Sequence, residues 1–231
     1  MRRFLKFCVG LLLLPLCAAL SLTFIRLLVL LAEAPDRLPH LPVFAVLAGM
    51  VVWLLVWFFL PPLTKTYVLG HELTHAVWSL LCGGRARNLR VSDSGGSVRV
   101  TKNNFLVTLA PYFFPFYSVL GILVWLILSA LCPPVRPWYP VLLFWLGLSW
   151  AFHICFTLRF LAWSQPDVRE QGRLFSYALI FFLNLLILLA ALVPVSPWTF
   201  RDAAADFLSR LTTFARAAQT FCTWFDLTFL P

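Results

Sequence analysis

The sequence predicts an all-α, polytopic membrane protein with one small β-hairpin and a C-terminal amphipathic helix. Of its 231 residues, 61% are hydrophobic and only 12% are charged, whereas a water-soluble domain has about half and a quarter. Polar or proline-rich breaks separate about six apolar segments, at residues 4–32, 41–60, 66–82, 105–131, 138–163 and 174–193. We therefore expect a bundle of about six helices within residues 1–195 and a separate amphipathic segment at 196–231.

The first apolar segment has a basic start and a leucine-rich core, as a secretory signal peptide does. The apolar run continues past Ser21 to Ala32, which is long enough to span a bilayer. We therefore expect an uncleaved first helix. The later segments end at "EAPDRLPHLP", "PPLTK", "CPPVRP" and "SQPDVREQGR", which carry the proline and polar residues typical of connections.

The third segment, residues 66–82, is the shortest and contains two histidines. The polar stretch after it alternates at residues 89–91 and 98–100 around Ser94-Gly95-Gly96. This pattern predicts a membrane-associated β-hairpin over about residues 88–101, with a glycine turn that permits close approach. The next segment contains Pro111 and Pro115. Prolines free backbone carbonyls, which at membrane depth is tolerated beside protein or a wet cavity.

The C-terminal segment alternates spacings of four and three between its apolar residues. These are Phe200, Ala204, Phe207, Leu211, Phe214, Ala218, Phe221 and Phe225. Charged residues lie off this stripe, so the segment is predicted to be an amphipathic helix. Such a helix lies along a membrane interface or packs on the bundle.

The net charge of +9 would suit a nucleic-acid-binding protein, but the basic residues lie at the ends of apolar runs. That placement is typical of residues that set membrane topology. If the amino terminus is cytoplasmic and the histidine helix does not complete a crossing, most basic residues of the connections face the cytoplasm. We therefore expect a lipid bilayer as partner, no nucleic acid, and a functional site toward the cytoplasmic side.

The chemistry is carried by His71-Glu72-Leu73-Thr74-His75, a His-Glu-x-x-His sequence. On a helix this spacing places both imidazoles on one face, one turn apart, where they can bind one zinc ion. Glu72 can then act as the general base toward a water that zinc has acidified. Ionisable residues inside a membrane segment are costly, and this favours a functional role.

A catalytic zinc usually has three protein ligands and one water. The sequence offers four candidates for the third ligand: Asp167, Glu170, His153 and Asp93. Each has a structural alternative. Asp167-Val-Arg-Glu170 has the form of a helix capping box, His153 lies in the middle of an apolar segment, and Asp93 suits a turn. His40 lies in the outer connection, away from the expected site.

"GHELTHAVWSLLCGGRARNLRV", "GGSV" and "LAPYFFPF" together resemble the site-2 protease family of intramembrane zinc metalloproteases, and most closely its short, PDZ-less bacterial type. The resemblance is specific over residues 67–119. It implies that His71 and His75 bind one zinc ion per chain and that Glu72 is catalytic. It also implies a later aspartate as third ligand. The family has an Asn/Pro segment ending in Leu-Asp-Gly, and here Gln165-Pro166-Asp167 is the best-placed match.

The same resemblance implies a multi-pass protein of the bacterial inner membrane. Its substrate would be a membrane protein or a membrane-anchored peptide, held by pairing with the edge of the hairpin. Two alternatives stay open at this point. One is a membrane zincin similar to CAAX-processing proteases, with Glu170 as third ligand. The other is a non-catalytic membrane scaffold with structural histidines or a retained metal site. The oligomeric state is not indicated by the sequence.

Overall fold

A computed structural model describes residues 2–33, 40–163 and 165–229 of the chain. These residues are mainly helical and include one two-stranded antiparallel sheet. In chain order the elements are α1 (Arg2–Glu33), α2 (His40–Phe59), α3 (Thr64–Leu81), β1 (Ala86–Ser92), β2 (Gly95–Val100), α4 (Phe105–Leu109), α5 (Phe116–Leu131), α6 (Tyr139–Leu161), α7 (Pro166–Gln171), α8 (Arg173–Leu192) and α9 (Phe200–Phe229).

Four helices of the described residues are long and apolar enough to cross a membrane, and they include α1, α2, α6 and α8. A fifth span is formed if the bent pair at Phe105–Tyr112 and Phe116–Leu131 counts as one. These helices indicate a membrane protein and confirm the mainly helical fold with a small hairpin. The third apolar segment of the sequence, residues 66–82, corresponds to α3, which is not among these candidate spans. The count of about six membrane helices therefore stays a prediction.

Contacts between the helices divide them into two units, with α1, α8 and α9 in one and α2 to α7 with both strands in the other. In the first unit, α1 packs on α8 and α9 around a core that includes Leu20, Leu27 and Leu189. The division of the sequence at residue 195 follows composition alone and stays a prediction.

The helix α9 begins at a reciprocal capping interaction. The Thr199 backbone N–H donates to the Asp202 carboxylate at 2.8 Å, and the Asp202 N–H donates to the Thr199 hydroxyl at 3.2 Å. Its predicted apolar stripe is only partly packed: Phe207 contacts the core of its unit, whereas Phe200 and Phe221 are exposed. The helix α9 therefore packs on α1 through only part of this stripe.

In the second unit, α2 and α6 approach closely because each has a glycine at their contact. A Cβ added to Gly49 would lie 2.0 Å from the carbonyl oxygen of Phe144, and one added to Gly147 would lie 2.0 Å from that of Val46. Real Cβ atoms do not approach backbone at that distance. The two glycines thus set the separation of the helices, as small residues do between membrane helices.

We expect Gly49→Ala and Gly147→Ala each to destabilise this unit by about 1–3 kcal/mol, because backbone must move to admit a methyl group. The measurement is thermal unfolding of the purified chain in detergent, followed by tryptophan fluorescence. Leu47→Ala is the control, since Leu47 lies on the same helix and is 54% exposed. Glycine variants that unfold at the temperature of the control would contradict the close approach.

An aromatic core fixes α3 against α2 and α6. Tyr67, one turn before His71, stacks on Phe156 of α6 with ring centroids 4.9 Å apart and planes 11° apart. Trp53 of α2 packs edge-on against Phe152 of α6 at 4.8 Å. Aromatic pairs at such distances add to the energy of burial. The start of α3 is therefore held rigidly, and the turns that carry the histidines follow directly.

The apolar segment 105–131 is broken where the sequence has its prolines. The axes of Phe105–Tyr112 and Phe116–Leu131 meet at 86°, with Pro115 at the start of α5. The Tyr117 hydroxyl donates to the backbone oxygen of Thr66 at 2.6 Å and so ties α5 to the start of α3. This bend lets the short piece before it pack beside α3 instead of continuing as one straight span.

The hairpin is confirmed, but its turn differs from the prediction. Asp93 and Ser94 connect the strands, and Gly95 and Gly96 belong to β2, where Ser92 pairs with Gly95. The strands cover residues 86–100, near the predicted 88–101. Gly96 is required by packing rather than by the turn: a Cβ added to it would lie 2.6 Å from Val68 and 2.8 Å from Glu72. Gly96 thus permits β2 to pack directly on α3.

Candidate metal centre

The helix α3 places the two histidines on one face, as their spacing predicts. It follows Pro61-Pro62 and ends before Gly83, whose positive φ of 75° lets the chain leave the helix. The rings of His71 and His75 have centroids 4.9 Å apart and planes at 80°. Both are largely buried, with side-chain exposures of 13% and 14%. The rings therefore meet at one point rather than diverging.

The short helix α4 orients the second histidine. Asn104 caps α4, because its side-chain oxygen accepts from the Val107 N–H at 3.0 Å. The carbonyl oxygen of Val107 in turn lies 2.8 Å from Nδ1 of His75. A carbonyl can only accept, so Nδ1 carries the hydrogen and donates it. This leaves Nε2 of His75 with a free lone pair, which is the tautomer that a metal ligand requires.

The short helix α7 brings in the acidic residue. It packs beside α4, where the buried side chain of Gln171 donates to the Thr108 hydroxyl at 3.2 Å. Asp167 lies in the first turn of α7 rather than before it. Its Oδ2 accepts from the hydroxyl of Tyr112 at 3.0 Å and faces the two histidines. These contacts direct the carboxylate toward α3.

The three side chains form a set that suits a metal ion. The distance from Oδ2 of Asp167 to Nε2 is 3.5 Å for His71 and 3.7 Å for His75. One ligand atom from each residue lies within 4.8 Å of the other two, and this is the group of the described residues able to hold an ion. Ligand atoms of a tetrahedral zinc site, with bonds of about 2.0–2.1 Å, lie roughly 3.3 Å apart. The residues therefore fit a small divalent cation after minor adjustment.

The carboxylate of Asp167 is charged at neutral pH, as ligation requires. Burial favours the neutral form and by itself would raise the pKa of this carboxyl. Hydrogen bonding and charge interaction with His71 and His75 outweigh burial and hold the pKa well below its usual range. The two histidines and the aspartate thus act as one electrostatic unit.

Glu72 lies beside this group on the same helix and is 8% exposed. It lines a cavity of about 520 Å³ together with His71, His75 and Asp167, and residues 94–98 form another part of the wall. The close packing of Gly96 on Glu72 brings β2 to the edge of the cavity. The Glu72 carboxylate, the three candidate metal ligands and the strand β2 therefore line one cavity, which is large enough for a peptide segment.

The other candidates from the sequence lie elsewhere. Glu170 is exposed on α7, Asp93 is exposed at the hairpin turn, and His40 is exposed at the start of α2. His153 is buried on α6 and lines a separate cavity of about 20 Å³, which His71 also reaches. None of these four residues belongs to the metal-binding group of the described residues. The capping alternative for Asp167 is not favoured, because its carboxylate contacts Tyr112 and the histidines.

Two supporting residues could not be found by motif. Tyr112 is fully buried and hydrogen-bonded to Asp167, and the Val107 carbonyl fixes His75. The prolines of "LAPYFFPF" indicate a break in the backbone hydrogen bonding of this segment, but they give no role to the Tyr112 side chain. A buried tyrosine inside a broken apolar segment was the available signal for Tyr112, because a buried phenol needs a hydrogen-bond partner.

We expect Tyr112→Phe to weaken metal binding by about 10–100-fold, because partners that orient a ligand matter on that scale. The affinity is measured by competition with a chromophoric chelator. Tyr117→Phe is the matched control, since it removes a hydroxyl that donates to Thr66 and not to a ligand. If both phenylalanine variants bound metal as tightly as the parent, the orienting role of Tyr112 would be wrong.

Comparisons with known proteins assign no family to this centre. No family model matches the chain, and the searches of curated proteins and of solved structures found no match either. The resemblance to site-2 proteases therefore stays a prediction. What can be said of function depends on the geometry of His71, Glu72, His75 and Asp167.

Proposed function

We propose that this chain is an intramembrane zinc metalloprotease of the site-2 type, which hydrolyses a peptide bond in or near a membrane-spanning substrate segment. One observation carries the proposal: the imidazoles of His71 and His75 and the carboxylate of Asp167 converge within 4.8 Å. Glu72 stands beside them in the same cavity. This is the set that a catalytic metal and its general base need.

Zinc is the metal that the donor set favours. Two imidazole nitrogens and one carboxylate oxygen match the histidine and acidic ligands of catalytic zinc sites, which keep a fourth position open. When bound, the ion lowers the pKa of a water and polarises a carbonyl. We propose one zinc ion per chain.

In this proposal Glu72 is the general base. Its carboxylate accepts a proton from the attacking water and afterwards returns a proton to the amine of the leaving peptide. Burial raises the pKa of the Glu72 carboxyl above its usual range, and a hydrogen bond from the backbone of Val98 offsets this only in part. A raised pKa suits a general base, because the carboxylate then takes up the proton of the attacking water more readily.

The hairpin supplies the means of holding a substrate. The strand β2 pairs with β1 along one edge, and residues 95–98 line the cavity beside Glu72. Its other edge pairs with no strand of the described residues. An extended substrate segment added to that edge would be fixed by backbone hydrogen bonds. Helical transmembrane segments must unwind before they can bind in this way.

The placement in a multi-pass protein of the bacterial inner membrane, with the site toward the cytoplasm, is also part of the proposal. It is supported by the concentration of Lys and Arg in the connections expected on that side. The CAAX-type alternative is disfavoured, because Glu170 is exposed and outside the metal-binding group of the described residues.

The test is cleavage of single-span reporter peptides of varied sequence, reconstituted with the purified chain in lipid bilayers. We expect cleavage by the parent, its loss after treatment with a zinc chelator, and its return when zinc is added. Cleavage that persists in a chelated sample shown to be free of metal would overturn the proposal. Metal-loaded protein that cleaves none of the reporters would instead favour the non-catalytic scaffold.

A further inference from the structure

We propose that the outer face of the hairpin binds the phosphate headgroups of anionic lipids. This face is defined here as the side chains of Arg87, Arg90 and Arg99. The proposal concerns an interaction surface and is independent of the metal centre and of any proteolytic activity.

The strand register shows which side chains share this face. Residues directly opposite each other lie on one side of a hairpin, and successive pairs alternate. The pair Val91 and Gly96 faces α3, because a Cβ on Gly96 would meet Val68. The neighbouring pair Arg90 and Ser97 therefore faces away from α3.

The strand β1 has a register irregularity between residues 87 and 90, so the faces of the remaining residues are assigned from the alternation along β2. Because side chains alternate along a strand, Val98 and Val100 lie on the same side as Gly96. Arg99 lies between them on the outer side, and its direct partner is Arg87. The hairpin is thus an amphipathic ribbon with a small and apolar inner face and an outer face of three exposed guanidinium groups.

The pairing of Arg87 with Arg99 is unfavourable without a ligand. Like charges directly opposite on neighbouring strands destabilise a hairpin. None of the ion pairs among the described residues includes Arg87, Arg90 or Arg99. The nearest acid along the chain is Asp93 at the exposed turn. An anion that bridges the two guanidinium groups would convert the repulsion into charge-assisted hydrogen bonds.

The position of the hairpin favours lipid as the source of that anion. Val98 and Phe160 line the same cavity, so the hairpin lies at the C-terminal end of the candidate span α6. At that end Arg159 lies over the ring of Trp57 at 5.6 Å, and Trp163 is 73% exposed. Tryptophan and arginine in such positions mark the level of the headgroups. Basic residues at this level attract anionic lipids.

The test uses the full chain in delipidated detergent solution, mixed with equal amounts of phosphatidylglycerol and phosphatidylcholine. Native mass spectrometry then counts the lipids that stay bound. We expect the parent to retain phosphatidylglycerol preferentially. Arg87→Gln/Arg99→Gln should reduce that preference by roughly 25-fold, or about 5-fold for each arginine. The matched control Arg87→Lys/Arg99→Lys keeps both charges and should keep most of the preference.

The same variants give a second readout in thermal unfolding. In phosphatidylcholine alone, the glutamine variant should unfold at or above the temperature of the parent, because the repulsion is gone. In phosphatidylglycerol it should unfold below the parent. This reversal also shows that the variant is folded.

Three outcomes would overturn the proposal. One is an equal lipid preference in the parent and in the glutamine variant. Another is displacement of the lipid by inorganic phosphate at the same concentration, which would point to a site for soluble phosphate. The last is tight binding of a single-stranded oligonucleotide that depends on Arg87 and Arg99 and is unaffected by phosphatidylglycerol, which would indicate nucleic acid. Because no arm measures cleavage, failure here leaves the metalloprotease proposal untouched.

Discussion

Glu72→Gln should reduce peptide cleavage by about 10²–10⁴-fold, because an amide cannot accept the proton of the attacking water. The variant should still bind metal, since Glu72 is outside the group formed by His71, His75 and Asp167. Glutamine has nearly the same size, so the packing of Gly96 against this side chain should be preserved. The measurement is the initial rate of reporter cleavage at equal metal loading.

Glu170→Gln is the matched control for this experiment, because it makes the same change at an exposed glutamate of α7. We expect it to cleave as the parent does. Comparison of the two variants also distinguishes the site-2-type hypothesis from the CAAX-type alternative. If Glu170→Gln lost metal and activity while Glu72→Gln kept both, the general-base assignment would be wrong and the CAAX-type alternative would be right.

Asp167→Ala should have the largest effect on metal binding after loss of the histidines. Removing an orienting partner costs about 10–100-fold in affinity, and removing a ligand should cost more, so we expect a loss of at least about 100-fold. The remaining imidazoles form an incomplete site, since catalytic zinc uses three protein ligands. The dissociation constant is measured against a chelator at neutral pH.

Asp93→Ala is the control for Asp167→Ala, because Asp93 was also a candidate ligand and lies exposed at the hairpin turn. It should bind metal like the parent. An Asp167→Ala variant with unchanged affinity would show that the carboxylate only orients α7. In that case a different third ligand would have to be sought.

Much of the metal centre could be predicted from the sequence because it depends on local spacing. His71, Glu72 and His75 lie within one helical turn, and the helix geometry fixes their relation. The hairpin was predicted for a similar reason, since its alternation and its glycines are local signals. In the structure the turn consists of Asp93 and Ser94 instead, and Gly96 lies where β2 packs on α3.

The rest of the site depends on contacts that are distant in sequence. Asp167 is separated from His75 by five elements, β1, β2, α4, α5 and α6, and its local sequence equally suits a helix cap. Tyr112 and the Val107 carbonyl act through the packing of α4 and α7 on α3, which no spacing rule describes. The sequence alone likewise does not predict the close approach of α2 and α6 at Gly49 and Gly147.

The central claim is that one divalent ion is bound by His71, His75 and Asp167. It is tested most directly by the zinc content per chain of the purified protein, compared with that of a His71→Ala/His75→Ala variant after identical exposure to zinc. We predict one zinc per chain in the parent and almost none in the variant. A parent that retains no zinc, or a variant that retains as much as the parent, would contradict the account.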